Sequence, residues 1–256
     1  MGPDPEMPMY DDRGERQTSF GPGLRGAVLM LLLWNGILFL LQQMLPWHVV
    51  VPTRAGFVEQ SAINYYFGLH ADTFWHGWIW QAVTYMFLHG GFTHILFNML
   101  GLWMFGSQLE AEWGSRTFLK YYFFTGIGAG LTNVAIFPHS SMPTVGASGA
   151  IYGLLLAYGV LYPHRKIYLY FIIGIPAWLF VTGFGLFALV NGVALGQGAG
   201  IAHFAHLGGL LFGLIYTWLW GLPGGRIGLL RRRRLARRRT GFQVIDFNDP
   251  DHRPRR

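Results

Sequence analysis

Residues 26–46 read GAVLMLLLWNGILFLLQQMLP, a run without Asp, Glu, Lys or Arg that closes on Pro46. A bilayer hydrocarbon core is crossed by about 20 predominantly apolar residues in a helix, and this run is one crossing long. It is not alone. The stretches 26–53, 73–109, 121–164 and 167–225 are all free of charged side chains. Over 256 residues only 12% are charged and 52% are hydrophobic, where an ordinary soluble domain carries about 25% charged residues. That excludes a soluble or disordered chain and implies a polytopic membrane protein.

Six spans fit the pattern, at 26–46, 91–108, 117–137, 148–162, 167–189 and 202–221. Between the first two, residues 47–90 are dense in aromatics, among them Trp47, Tyr65, Tyr66, Trp75, Trp78, Trp80 and Tyr85. Such residues favour the membrane–water boundary, so this segment reads as a folded interfacial loop. The expected fold is therefore an all-α membrane protein, a six-transmembrane-helix bundle with an interfacial loop between helices 1 and 2. It divides into a polar N-terminal tail (1–25), a six-helix domain (26–222) and an Arg-rich C-terminal tail (223–256).

Charge sets the orientation. Residues 1–25 hold five acids and three arginines, and 226–256 hold eleven arginines and three acids. Arg116, Lys120, Arg165, Lys166 and the arginines of 231–239 all fall on the side of the termini. The opposite loops carry only Arg54. Basic loops stay cytoplasmic, so both termini are expected there, with the bundle in the plasma (inner) membrane. The N-terminal segment lacks the basic start and apolar core of a signal peptide. The run RIGLLRRRRLARRR at 226–239 reads as an anchor for anionic lipid head groups. No aromatic interleaving or folded module points to nucleic acid.

Polar side chains inside spans are costly and mark function. His94 and Asn98 in span two, Ser148 and Tyr152 in span four, and His203 and His206 in span six stand out. Spans two, four and six all enter from the outer side, so His94, Ser148 and His206 lie at one depth, just below the outer surface. His94 and Asn98 share a helical face, as do His206, Gly209 and Gly213. The strips Gly149–Gly153 and Gly209–Gly213 permit close backbone approach, which would bring His206 to Ser148. A serine hydroxyl needs an adjacent base to become a nucleophile, and histidine is the usual one. Ser148 would open span four, where free amides and the helix dipole favour an oxyanion, with His94 and Asn98 as further donors.

Residues 89–106 (HGGFTHILFNMLGLWMFG), 146–153 (GASGAIYG) and 205–213 (AHLGGLLFG) resemble the three signatures of the rhomboid intramembrane serine proteases. LEAEWGSRTF at 109–118 is similar to the family's segment after the second span. The resemblance covers about residues 75–220 and implies an intramembrane serine endopeptidase acting on single-span membrane proteins near the outer face of the bilayer. It makes Ser148 the nucleophile and His206 the general base. His94, Asn98 and the Ser148 amide would form the oxyanion hole. Tyr152 would stack on the His206 ring, and Gly146, Gly149, Gly209 and Gly213 would support the site. One departure concerns the loop. Many members carry Trp-Arg where this chain has Trp80-Gln81.

Other chemistries fit less well. With no cysteine, thiolate nucleophiles, disulfides and Cys metal sites are excluded. The spans hold no Asp pair, and Lys120 and Lys166 lie on the wrong side for a Ser-Lys dyad. Glu59 and Asp72 carry no spacing that marks a triad carboxylate. His89 and His203 read as structural. The histidines lack an HExxH pattern or a nearby carboxylate, so no metal and no cofactor is expected. Two alternatives stay open on the residues alone, a rhomboid-like protein that binds membrane clients without cutting them, and a channel lined by the histidines.

Overall fold

The computed structural model describes residues 26–45, 47–53, 56–140, 142–169, 172–195 and 202–223. The N-terminal tail and the arginine run at 226–239 lie outside the described residues. Helix α1 (Gly26–Met44) starts where Gly26 takes φ 71°. Its first amides are orphans of helix geometry, and a distant carboxylate satisfies two of them. Ala27 N donates to Glu110 Oε1 at 2.6 Å and Val28 N to Oε2 at 2.9 Å, while Ser115 Oγ donates to Oε1 at 2.5 Å. One buried acid thus caps α1 and ties it to the far end of the second helical unit.

The described residues between 47 and 90 form strands as well as short helices. Strands β1 (His48–Thr53) and β2 (Gly56–Ser61) form an antiparallel hairpin. Three short helices follow, α2 (Ala62–Phe67), α3 (Ala71–Trp75) and α4 (Gln81–Thr84), then a 3₁₀ turn at Tyr85–Phe87. Gln81, at the departure from the family pattern, is fully buried. Its Oε1 accepts from His70 N (3.2 Å) and Thr73 Oγ1 (2.8 Å), and its Nε2 donates to Tyr65 O (3.2 Å) and Tyr66 O (3.4 Å). A neutral amide cross-links the loop from its inside.

The second unit runs from α5 (Phe92–Gly101) through a π turn (Leu102–Gly106) into α6 (Ser107–Trp113), ending on Gly114 at φ 75°. It extends past the expected boundary at 108, because the wide turn carries the helix on to Glu110 and Trp113. Then come α7 (Ser115–Ile136), α8 (Ser148–Leu161), α9 (Ala177–Leu195) and α10 (His203–Trp220). Span five, expected at 167–189, is corrected. Lys166–Leu169 (β3) and Ile173–Pro176 (β4) pair as a second hairpin before α9 begins. Pro176 has no N–H to continue a helix behind it, and β-branched residues with Gly174 favour the turn-back. Hydropathy sees one apolar run and is blind to this reversal. The two short hairpins sit beside an otherwise helical architecture.

Helices α7, α8 and α10 form the centre, joined through glycine. A Cβ on Gly209 would stand 2.0 Å from the Gly149 carbonyl oxygen of α8, and one on Gly213 would stand 2.7 Å from Leu156 Cδ2. A Cβ on Gly149 would meet Ala129 Cβ at 2.5 Å, and on Gly153 Thr125 at 2.6 Å, both on α7. The Cβ directions of the α8 strip thus point at α7, while the α10 strip lies against the α8 strip's backbone, with Gly209 on the Gly149 carbonyl and a Cβ on Gly213 3.6 Å from Gly153 Cα. Periodicity identifies a face but not its neighbour.

The outer surface is apolar. Leu33, Trp34, Phe97, Leu186, Val193 and Trp218 are exposed, while Tyr121, Tyr122, Thr125 and Asn133 are buried. In water so large an apolar face would drive aggregation; lipid chains are a matched solvent for it. Two helices, Gly26–Met44 and Ala177–Ala194, are each long and apolar enough to cross a membrane, with 22% and 17% of their residues buried in the fold.

Candidate active site

Helix α8 begins at Ser148, so the serine sits where the backbone amides have no partner one turn back. His206 lies in the first turn of α10. The close approach at Gly209 sets the two helices near enough that Ser148 Oγ lies 2.8 Å from His206 Nε2. With the ring proton on Nδ1, the hydroxyl donates to Nε2, which is the arrangement that lets a hydroxyl lose its proton as it attacks. Tyr152 is four residues after Ser148 and on the same face of α8. Its ring stacks on the His206 imidazole with centroids 4.3 Å apart and planes at 5°. One helix thereby supplies both the nucleophile and the plate that fixes the ring, and no carboxylate is needed to orient it.

On the opposite side stand the donors. Gly90 N donates to His94 Nδ1 at 3.3 Å, which leaves Nε2 as the protonated ring nitrogen. A Cβ built on Gly146 would lie 2.7 Å from His94 Nε2 and 3.6 Å from Asn98 Nδ2. Both donors therefore converge on the glycine two residues before Ser148. Asn98 is buried and its Nδ2 has no acceptor among the described residues. A buried donor without a partner is costly and suits a group that appears only during reaction. Gly146 holds φ 121° and donates its N–H to Tyr85 O at 2.9 Å; no larger residue fits both that dihedral and that space.

The approach to Ser148 is pinned from three sides. Leu69 and Thr144 exchange backbone hydrogen bonds at 3.0 and 2.9 Å. Asn133 Nδ2 of α7 donates to Thr144 Oγ1 at 2.8 Å. The Tyr85 phenol donates to Gly126 O at 2.6 Å. Tyr85, Asn133 and Thr144 are functional neighbours that the motifs did not flag. Asn133 had a signal, being an amide within the uncharged stretch 121–164; Tyr85 and Thr144 had none.

Ser148 and His206 open on a cavity of about 980 Å³ whose lining, among the described residues, holds no Asp, Glu, Lys or Arg. It runs along α8 between α5 and α9, past Phe97, Met104, Phe180 and Phe184, down to Ile167 and Tyr168 of β3. Residues 142–146 line its mouth. Helix α9 continues to Leu195, and 196–201 lie outside the described residues. His203 is buried, its ring 6.2 Å from that of His206, and its Nδ1 has no partner among the described residues. The His89 ring meets His94 edge-on at 5.2 Å.

Comparison with known proteins bears on the whole domain. Residues 76–222 match the family model of the rhomboid domain. Rhomboid protease GluP of Bacillus subtilis (strain 168) is 36% identical over 181 residues, covering 68% of this chain and 33% of that protein. Rhomboid protein 1, mitochondrial, of Saccharomyces cerevisiae is 35% identical over 138 residues, covering 52% of this chain and 39% of that protein. Rhomboid-like protein 11, chloroplastic, of Arabidopsis thaliana is 33% identical over 156 residues, covering 55% and 52%. The chain thus spans between a third and a half of the length of these relatives. The residues matched, 76–222, are more than half of the chain and include Ser148, His206, His94 and Asn98, so the chain belongs to the rhomboid family, an all-helical fold of integral membrane proteins.

Proposed function

We propose that this chain is a rhomboid-type serine protease that hydrolyses a peptide bond in the transmembrane segment of single-span membrane proteins, near the outer face of the bilayer, with a Ser148–His206 dyad. The observation that carries the reading is the 2.8 Å contact between Ser148 Oγ and His206 Nε2, made beside two donors aimed at one glycine. Ser148 Oγ attacks the scissile carbonyl carbon while its proton passes to His206 Nε2. The carbonyl electron pair moves onto oxygen, where His94 Nε2–H, Asn98 Nδ2–H and the Ser148 amide receive it. Collapse breaks the C–N bond, and His206 returns the proton to the leaving amine. Water, giving its proton to His206, then attacks the acyl-serine; the C–Oγ bond breaks, His206 returns the proton to Ser148 Oγ, and the acid is freed.

In this reading six helical units span the bilayer, α1, α5–α6, α7, α8, α9 and α10. The segment between α1 and α5 lies at the outer interface. Both termini are cytoplasmic in a plasma (inner) membrane. Residues 1–25 and 223–256 are tails to a 26–222 domain, and the basic C-terminal tail meets anionic lipid. A chain without native cysteine permits a clean test of this topology. A cysteine replacing Gln60 is expected to react with an impermeant maleimide from the outside only; labelling from the cytoplasmic side alone contradicts the orientation.

The donors should matter less than the dyad. Removing one oxyanion donor typically costs about 10²–10³ in rate, so Asn98→Ala is expected to be crippled yet measurable in a reconstituted cleavage assay. An Asn98→Ala protein cleaving at the parental rate assigns the amide to packing.

A helical substrate hides its carbonyls in i→i−4 bonds, out of reach of the donors at Gly146. Cleaved spans should carry a small residue before the cut and Gly or Pro just beyond it, because in a helix interior Gly costs about 1 kcal/mol and Pro about 3 relative to Ala. Matched spans differing only there, reconstituted with the protein, should be cleaved in that order. Equal cleavage across the set removes local unwinding as the basis of selectivity.

A further inference from the structure

The mechanism above leaves unexplained how the His94 ring is held. Its Nδ1 accepts from Gly90 N at 3.3 Å, and Gly90 and Gly91 form a pair without side chains to restrain it. Glycine loses more backbone freedom on ordering than any other residue, so a Gly-Gly segment keeps one geometry only if something outside holds it. That something is on α1. Gln42 Oε1 accepts from His89 N at 3.0 Å, and Gln42 Nε2 donates to His89 O at 3.3 Å, so the carboxamide pairs with both polar groups of one residue's backbone. The same Nε2 donates to Asn64 Oδ1 of α2 at 2.9 Å, which fixes the amide's orientation. Gln42 is half-buried in the last turn of α1 and lies outside the matched domain at 76–222.

We infer that Gln42 is a positioning residue for the oxyanion site: by clamping the His89 backbone it aims the Gly90 N–H at His94 Nδ1 and so keeps the Nε2 proton of His94 pointed at Gly146. This rests on the protease reading above. The relay is short, hydrogen bonds at either end joined by one peptide link. Gln42 holds His89, the backbone carries that to Gly90, and the Gly90 amide selects the tautomer of His94. The His89 ring, edge-on to His94 at 5.2 Å, limits rotation of the imidazole the other way. It also gives α1 a part in the reaction beyond covering the bundle, because α1 bears the clamp.

The test uses the full chain in proteoliposomes with a single-span substrate, and the same chain with ¹⁵N-labelled histidine, where the His94 signal is the one missing from His94→Ala. Gln42→Met keeps length and helix propensity but makes none of the three bonds. It should lower kcat by about 10- to 100-fold with KM little changed, as expected for a misplaced group. The parental His94 should be Nε2-protonated, and Gln42→Met should mix the two tautomers. Gln42→Glu retains an acceptor for His89 N and should lie closer to the parent in tautomer and kcat. In a His94→Ala background, Gln42→Met should cost little more, because groups acting as a unit are not additive. Parental kcat or an unchanged tautomer in Gln42→Met overturns the inference. So does an equal loss with and without His94, which is what a purely structural Gln42 gives. Should Ser148→Ala cut as fast as the parent, the protease reading falls while the tautomer still decides the role of Gln42.

Discussion

Ser148→Ala is expected to leave no detectable cleavage of a reconstituted membrane substrate while the protein keeps its helical content and thermal stability. Alanine removes only the oxygen, and that oxygen's sole partner among the described contacts is His206 Nε2. His206→Ala should match it within error, and the double variant should be no worse. Members of a catalytic unit fail together, each alone costing on the order of 10³-fold or more. The His206 ring also gives half of the stack with Tyr152, so His206→Ala should be somewhat less stable than Ser148→Ala. Rate constants for all three proteins, measured beside their melting curves, decide the matter. Near-parental turnover by His206→Ala removes the base from the account.

Gly209→Ala carries the second large effect, and by a different route. A Cβ there would sit 2.0 Å from the Gly149 carbonyl oxygen. That contact is with backbone, so no rotamer relieves it and α8 and α10 must move apart. Overpacking of this kind typically costs about 1–3 kcal/mol. Its functional cost should be larger still. Gly149 adjoins Ser148, and Gly209 is on the helix that carries His206, so the separation acts on the 2.8 Å contact itself. A displacement of about 1 Å can cost 10²-fold in rate. Gly36→Ala and Gly183→Ala are the controls, since a Cβ at either meets nothing within 4 Å. Both should cleave at the parental rate. Full activity in Gly209→Ala shows that glycine packing is not what sets the dyad distance.

Much of this is legible in the sequence. Uncharged stretches and the placement of arginine announced a membrane bundle. Helical spacing put His94 with Asn98 on one face, and common depth drew Ser148 towards His206. What escaped the sequence depends on contacts distant along the chain. Gln42 and His89 are 47 positions apart, and Ala27 and Glu110 are 83 apart; neither pair leaves a periodic trace. The run from Lys166 to Pro176 is as apolar as a helix, yet it reverses direction, because backbone pairing between strands is invisible to hydropathy. The π turn at Leu102–Gly106 likewise leaves no mark in composition. Gly149 and Gly153 were legible as a packing strip, but not that Ala129 and Thr125 would fill it.

The central claim is that Ser148 is a nucleophile made reactive by His206. A fluorophosphonate probe reads this directly, since it forms a covalent bond to an activated serine without needing a substrate. The full chain in proteoliposomes, treated with the probe, digested and mapped by mass spectrometry, should carry the phosphonyl group on Ser148. Labelling should vanish in Ser148→Ala and fall sharply in His206→Ala, with other serines unmodified. Absence of label on Ser148 in the folded parental protein, or equal labelling once His206 is alanine, would contradict the account.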